Sequence, residues 1–356
     1  MMTPGRLGLY AVVEPSERPL RLGRSLRDPQ ELVVLEPIQE LAFDSDLAAM
    51  WIREEISLHR SLALPGVVPL RDFFWAQSSP GQHVFCIAHG YLASHSLDAL
   101  LAAARRRHEP VPVPVALAIA LDVLTAISHV HAARSPDGTR LGMLVRSLTP
   151  ERILIDAGGR AWLWQPVRRP GGAAADATNL TRFAHLSPES VGGQPVAVTS
   201  DLYSVASVLW LMLTGRPRLP DQGLVGLLSA LLHAPPAAPS RWRPGLPPAL
   251  DALVLRCLAR EPRARPVDAD AMIGELTQLL ATLTREGEAT AAGAPFRQAA
   301  RAPAPPDSRV GVAQWASALG AAPWPGPEVY ALGSSPPAPP SDEPVPQATR
   351  AGYRQT

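Results

Sequence analysis

Leu144-Val145-Arg146-Ser147-Leu148-Thr149-Pro150-Glu151-Arg152-Ile153-Leu154-Ile155-Asp156 lies near the middle of the chain and carries its clearest pattern. A polar stretch around Pro150 gives way to the apolar Ile153–Ile155, which predicts a strand. The turn formers Asp156-Ala157-Gly158-Gly159 and the apolar Ala161–Trp164 follow, so a β-hairpin is expected. Upstream, Pro114–Ala133 sets Leu117, Leu121, Leu124 and Ile127 along one face of a long helix. Downstream, Thr199–Val205 opens a very apolar helix that closes at Leu213-Thr214-Gly215.

The central stretch resembles the catalytic loop of the bacterial Ser/Thr protein kinases, whose pattern is H-R-D-L-x-x-x-N. Arg146, Leu148, Pro150, Glu151 and Ile153-Leu154-Ile155 keep its frame, while Val145 stands at the histidine, Ser147 at the aspartate, Thr149 at the lysine and Arg152 at the asparagine. The likeness continues from about residue 7 to 285. Leu186-Ser187-Pro188-Glu189 is similar to A-P-E, Ser200-Asp201-Leu202-Tyr203-Ser204 to S-D-[IVL]-Y-S, and Cys257–Pro266 to C-L-x-x-D-P-x-x-R-P. Toward the N-terminus, Leu32-Val33-Val34-Leu35-Glu36 resembles V-A-I-K with Glu36 at the lysine. After the predicted hairpin, Gln165-Pro166-Val167 stands where the family has D-F-G.

The resemblance implies an α+β, two-lobed protein-kinase-like fold: a small antiparallel-sheet lobe with one helix to about residue 88, and a mainly helical large lobe from 89 to about 285. In the small lobe, strands are predicted at Leu7–Val13, Leu20–Leu26, Glu31–Ile38, Asp72–Trp75 and His83–Ala88. Residues 45–63 read as an amphipathic helix, on which Glu55 is the lysine's usual partner; an ordinary solvated helix residue is the alternative. His89-Gly90-Tyr91 is the hinge, and Ser96 caps the next helix. Further helices are expected at about Asp221–His233, Pro248–Arg260 and Asp268–Leu283. Residues 286–356 are rich in Pro, Ala, Gly and Ser and read as a disordered tail. Within it Val312, Trp315 and Leu319 are spaced like one face of a short helix; scattered apolar residues are preferred to a docking motif.

Phosphoryl transfer in such a fold rests on positioning and charge neutralisation. The phosphate-gripping lysine, the metal-holding aspartate and asparagine, and the base are replaced by Glu36, Gln165, Arg152 and Ser147. A carboxylate repels phosphate, a neutral amide anchors a hard cation poorly, an arginine excludes it, and a serine is no general base near neutral pH. No lysine exists anywhere in the chain: all 33 basic residues are arginine. The turn expected to flap over phosphates has no glycine and carries Glu14 and Glu17; Arg152 is expected to bridge Glu36 or Glu55. Weak or absent binding of ATP and magnesium follows, and no other cofactor is indicated.

The structural positions persist instead. The resemblance assigns Asp201 to the catalytic-loop backbone (the alternative is a plain N-cap), pairs Glu189 with Arg265 (the alternative is two surface charges), and leaves Arg146 to support the loop. The expected function is a pseudokinase, an interaction or regulatory module for other proteins such as active kinases or their substrates. The alternatives are a divergent Ser/Thr kinase and a metal-independent nucleotide sensor. A net charge of +1 gives no field for nucleic acid or membrane. Cys86 and Cys257 match no disulfide or metal pattern and read as buried thiols. With no signal segment seen and the apolar stretch Val205–Leu213 short, a cytoplasmic protein without a membrane span is expected.

Overall fold

The computed structural model describes residues 6–7, 9–12, 21–38, 62, 64–79, 82–135, 137–146, 148–164, 183–219, 223–292 and 308–320. Glu14 and Glu17, the helix expected at 45–63 with Glu55, Ser147, Gln165 and the loop 168–178 lie outside these residues.

The N-terminal strands build one antiparallel sheet: β1 (Arg6–Leu7), β2 (Tyr10–Val12), β3 (Arg21–Ser25), β4 (Leu32–Ile38), β5 (Leu70–Ser79) and β6 (Gln82–Gly90). Their order is β1-β2-β3-β4-β6-β5. The run Leu7–Val13 was expected as one strand; a turn at Leu9 breaks it, and Leu7 pairs with Tyr10 across that turn. Alternation along β4 sends Val33 and Leu35 into a core with Tyr10, Val12, Ala76, Cys86 and Ala88. Strand β4 lies against β6 with Glu36 opposite Ile87 and Val34 opposite His89.

The second lobe starts with β7 (Ser94–Ser96), which joins β8 (Ile153–Asp156) and β9 (Ala161–Leu163) in a small antiparallel sheet. Helix α1 (Leu97–Arg106) is capped by Ser96, whose Oγ accepts the Ala99 N–H at 3.2 Å. Helix α2 (Val113–His131) runs through the middle. Short α3 (Pro188–Val191), the buried α4 (Val198–Thr214), α5 (Gly223–His233), α6 (Pro248–Cys257) and α7 (Ala269–Ala292) surround it. Leu117, Leu124, Ile127, Leu202, Leu209 and Leu250, all at 0 % exposure or nearly so, form a separate core beneath the sheet. By length and a mean hydropathy of 1.9, α2 matches a membrane-crossing helix, which the reading from Val205–Leu213 did not consider. It runs inside the lobe, where 61 % of its most apolar stretch is buried.

Beyond α7 the structure departs from the expectation of a tail without structure. Helix α7 continues to Ala292, and residues Ser308–Ala318 form a further helix, α8. Val312, Trp315, Ala316 and Leu319 are buried against the large lobe, so their helical spacing marks a docked face.

The lobes meet along the segment before β5. Val68 N–H donates to Leu163 O at 2.9 Å and Leu163 N–H to Gly66 O at 2.8 Å, which ties β9 to the small lobe's connection.

Candidate functional site

The cleft between the lobes is framed by the end of β4, the end of β6 and the residue that follows β9. Extended backbone on β4 carries Glu36, and His89 sits one residue before the end of β6. His89 Nε2 donates to Glu36 Oε2 at 3.1 Å, with the imidazole 1 % exposed. The same ring meets Trp164 edge-on, centroids 5.3 Å apart. Val34, Val68, Leu92 and Leu154 close in around these groups and leave a cavity of about 20 Å³, room for about one water molecule. Among the described residues the buried Trp164 indole N–H meets no acceptor. Arg152, expected to bridge Glu36 or Glu55, is half-buried in the turn just before β8, and its carbonyl accepts the Trp164 backbone N–H at 2.7 Å.

Beneath the cleft the loop 141–152 hangs from one carboxylate. Asp201, 1 % exposed near the start of α4, accepts the Val145 N–H at 2.8 Å and the Arg146 N–H at 2.7 Å. His131, the last residue of α2, donates from Nε2 to the same carboxylate at 2.8 Å. Arg146 is held at φ +64° with its side chain exposed. A bulky residue in that region costs of order 1–3 kcal/mol unless its surroundings impose it, and here the amides of Val145 and Arg146 are both fixed by Asp201. Val145 and Thr149 are buried. Asp201 thus holds the loop's backbone at Val145 and Arg146.

Further down, Glu189 on α3 meets Arg265 in the turn before α7. Arg265 Nη1 donates to Oε1 at 2.6 Å and Nη2 to Oε2 at 2.8 Å. Its other N–H groups reach Ala259 O, Thr199 O and Arg260 O, so all five donors are used. Ser200 Oγ donates to Glu189 Oε1 at 2.6 Å. Burial by itself raises the Glu189 carboxyl, but the hydrogen bonds from Arg265 and Ser200 outweigh it and bring the pKa down to about 2. Nearby His185, buried and bonded to Ser207 Oγ at 3.0 Å, is pushed down to about 4 by desolvation and then by Arg218.

Among the described residues no group of three or more His, Cys, Asp or Glu is placed to hold a metal ion. Both cysteines are buried, and burial pushes the Cys257 thiol up to about 12.

Of the positions singled out in the sequence, the fold brings Glu36 to the cleft, Arg146 to Asp201, and Glu189 to Arg265. Ser147, Gln165 and Glu55 lie outside the described residues. Sequence reasoning missed His89, Trp164, His131 and His185. For the first two a signal existed: bulky side chains border the hinge and end the hairpin, the positions that flank any cleft between these lobes.

No family model matches the chain. Among curated proteins it is 27 % identical over 260 residues to the serine/threonine-protein kinase pkn3 of Myxococcus xanthus, covering 69 % of this chain and 45 % of that protein. It is 28 % identical over 331 residues to the serine/threonine-protein kinase PknE of Mycobacterium bovis, covering 90 % of this chain and 52 % of the relative. The chain therefore spans about half the length of these relatives or less. Among solved structures, the PknI kinase domain of Mycobacterium tuberculosis superimposes with a TM-score of 0.57 at 19 % identity, covering 78 % of this chain and 99 % of that one.

Proposed function

We propose that this chain, whose fold is that of a protein kinase domain and whose homologues are bacterial Ser/Thr protein kinases, is a pseudokinase: a module that binds other proteins and transfers no phosphate. The carrying observation is the cleft. Glu36 stands where the resemblance calls for the phosphate-gripping lysine, His89 occupies its carboxylate, and Trp164 packs on His89. Among the described residues, His89 and Trp164 pack into the part of the cleft beside Glu36, which speaks against a nucleotide seated there. Magnesium fares no better on the described residues, since Arg152 is cationic and Thr149 is buried. By contrast, the contacts that hold the fold, Asp201 to the loop and Arg265 to Glu189, are complete. A surface fixed in shape with its chemistry replaced suits recognition of proteins, in keeping with partners such as active kinases or their substrates. The near-neutral charge supports neither nucleic acid nor a membrane surface as partner.

The divergent-kinase reading draws on the same retained Asp201–loop contact and on relatives that are named as kinases. Two measurements separate them. A ligand at 100 times its dissociation constant stabilises by about 2.7 kcal/mol, which raises the midpoint of a domain this size by at least about 2 °C. No shift is expected with millimolar Mg-ATP. Radiolabelled ATP with magnesium or manganese is expected to leave the protein and generic substrates unlabelled. A shift absent with magnesium alone points to the nucleotide sensor; label that disappears in Asp201→Ala points to the kinase.

A further inference from the structure

Helix α8 does more than cover apolar surface. Val312, Trp315, Ala316 and Leu319 recur at helical spacing and are 1–8 % exposed. Both ends of the helix are also held by charged groups. Arg309 Nη2 lies 3.5 Å from Asp122 Oδ1 on α2, and Arg107 Nη1, just past α1, donates to the Ala318 carbonyl at 2.6 Å. The middle rests on the β8–β9 turn at Gly159, where a Cβ would overlap the Arg309 carbonyl and stand 2.6 Å from Ala313 N. The turn and the helix thus approach as closely as backbone allows.

Asp122 faces two ways. While Oδ1 meets Arg309, Oδ2 accepts the N–H of Ala161, the first residue of β9, at 2.9 Å. Two residues on, Leu163 pairs with the segment joining the lobes, and Trp164 then enters the cleft against His89.

We propose that residues 308–320 are a latch: a helix tethered to the lobe through residues 293–307, which docks in cis in the groove between α2 and the β8–β9 turn and sets the rigidity of the hairpin that delivers Trp164 to the cleft. Undocking frees the Gly159 turn and Asp122 together, so the hairpin loses its outer support while α2 and α4 keep theirs. Tethering supplies the helix at a high effective concentration, so modest affinity suffices for occupancy and a competing helix of like pattern displaces it. The latch is independent of whether the cleft takes a nucleotide, because its readout is the hairpin itself.

Hydrogen exchange on the full chain tests this. In the double variant Trp315→Asp, Leu319→Asp, amides of 309–319 lose protection, and those of 153–163 exchange at least about tenfold faster, while those of 203–213 in α4 stay as slow as in the wild type. A synthetic peptide of residues 304–322, added at up to millimolar concentration, restores slow exchange in the hairpin. Arg107→Ala with Arg309→Ala, which spares the apolar face, gives an intermediate acceleration. The proposal is overturned if the hairpin exchanges at the wild-type rate once the tail is released, if α4 loses protection along with the tail, or if the peptide restores nothing.

Discussion

Asp201 accepts the backbone N–H of Arg146 at 2.7 Å while Arg146 sits at φ +64°. A carboxylate at the head of a buried helix thereby fixes a strained residue in the loop before β8. The strain is tolerable because the same carboxylate also accepts Val145 N–H and His131 Nε2. Removing it strands one fully buried N–H and frees the loop. Asp201→Ala is expected to lose about 1–3 kcal/mol, the usual loss for one buried group left unsatisfied. Urea unfolding measures this; a midpoint within error of the wild type contradicts it.

Arg146 itself gives a prediction of opposite sign. Its side chain is exposed, so Arg146→Gly removes little contact and relieves the left-handed backbone. Stability should hold or rise by up to about 1 kcal/mol, since the freedom glycine adds to the unfolded chain offsets part of the relief. Loss of more than that in the same urea assay means that the guanidinium contributes to the fold.

The Glu189–Arg265 pair distinguishes charge from geometry. Arg265→Ala leaves an uncompensated buried carboxylate and should cost about 3–5 kcal/mol. Arg265→Lys keeps the charge but lacks the planar five-donor fork, leaving carbonyls of Ala259, Thr199 or Arg260 unserved. It should recover less than half of the loss in melting experiments. Full recovery by lysine would show that only the charge matters.

Acid sensitivity has two windows. His185 is neutral in the fold with its pKa near 4, against about 6.5 unfolded. Protons therefore favour the unfolded chain below pH 6.5, and its contribution is complete only above that value. Lowering pH from 7 to 5 should cost about 2 kcal/mol through this group, at 1.36 kcal/mol per unit. His185→Gln should flatten the melting temperature between those values; an unchanged slope assigns the loss elsewhere.

Glu189 acts lower. Its folded pKa of about 2 lies below the unfolded value of about 4.5, so its contribution is present above pH 4.5 and vanishes as pH falls through 2. The stability difference between wild type and Glu189→Gln should be constant above pH 5 and shrink by about 3 kcal/mol toward pH 2. A difference that does not vary with pH indicates that the carboxylate is not held in this way.

Much of the architecture could be read from local pattern. The hairpin of β8 and β9 was announced by Ile153–Ile155, the Asp-Ala-Gly-Gly turn and Ala161–Trp164, because turn chemistry and two-residue alternation are properties of neighbours along the chain. Helix α2 followed from its apolar face, and the Ser96 cap from a hydroxyl ahead of an apolar run. Boundaries were less legible: a turn splits the first apolar run, and α7 passes its expected end by nine residues, from Leu283 to Ala292.

What the sequence by itself determined is which chemical groups are present and where the chain turns. No lysine exists to meet a phosphate, Glu36 stands where the resemblance has one, and Asp201, Glu189 and Arg265 stand in stretches similar to the family's patterns. The tertiary structure alone decided which of these groups meet. His89 and Glu36 are 53 residues apart and touch because β4 and β6 pair in one register. Trp315 is buried because its helix finds the groove beside α2, although the Pro- and Ala-rich composition around it gives no sign of a core. Composition measures how much apolar surface a segment can offer; whether a complementary surface waits for it is a property of the folded lobe.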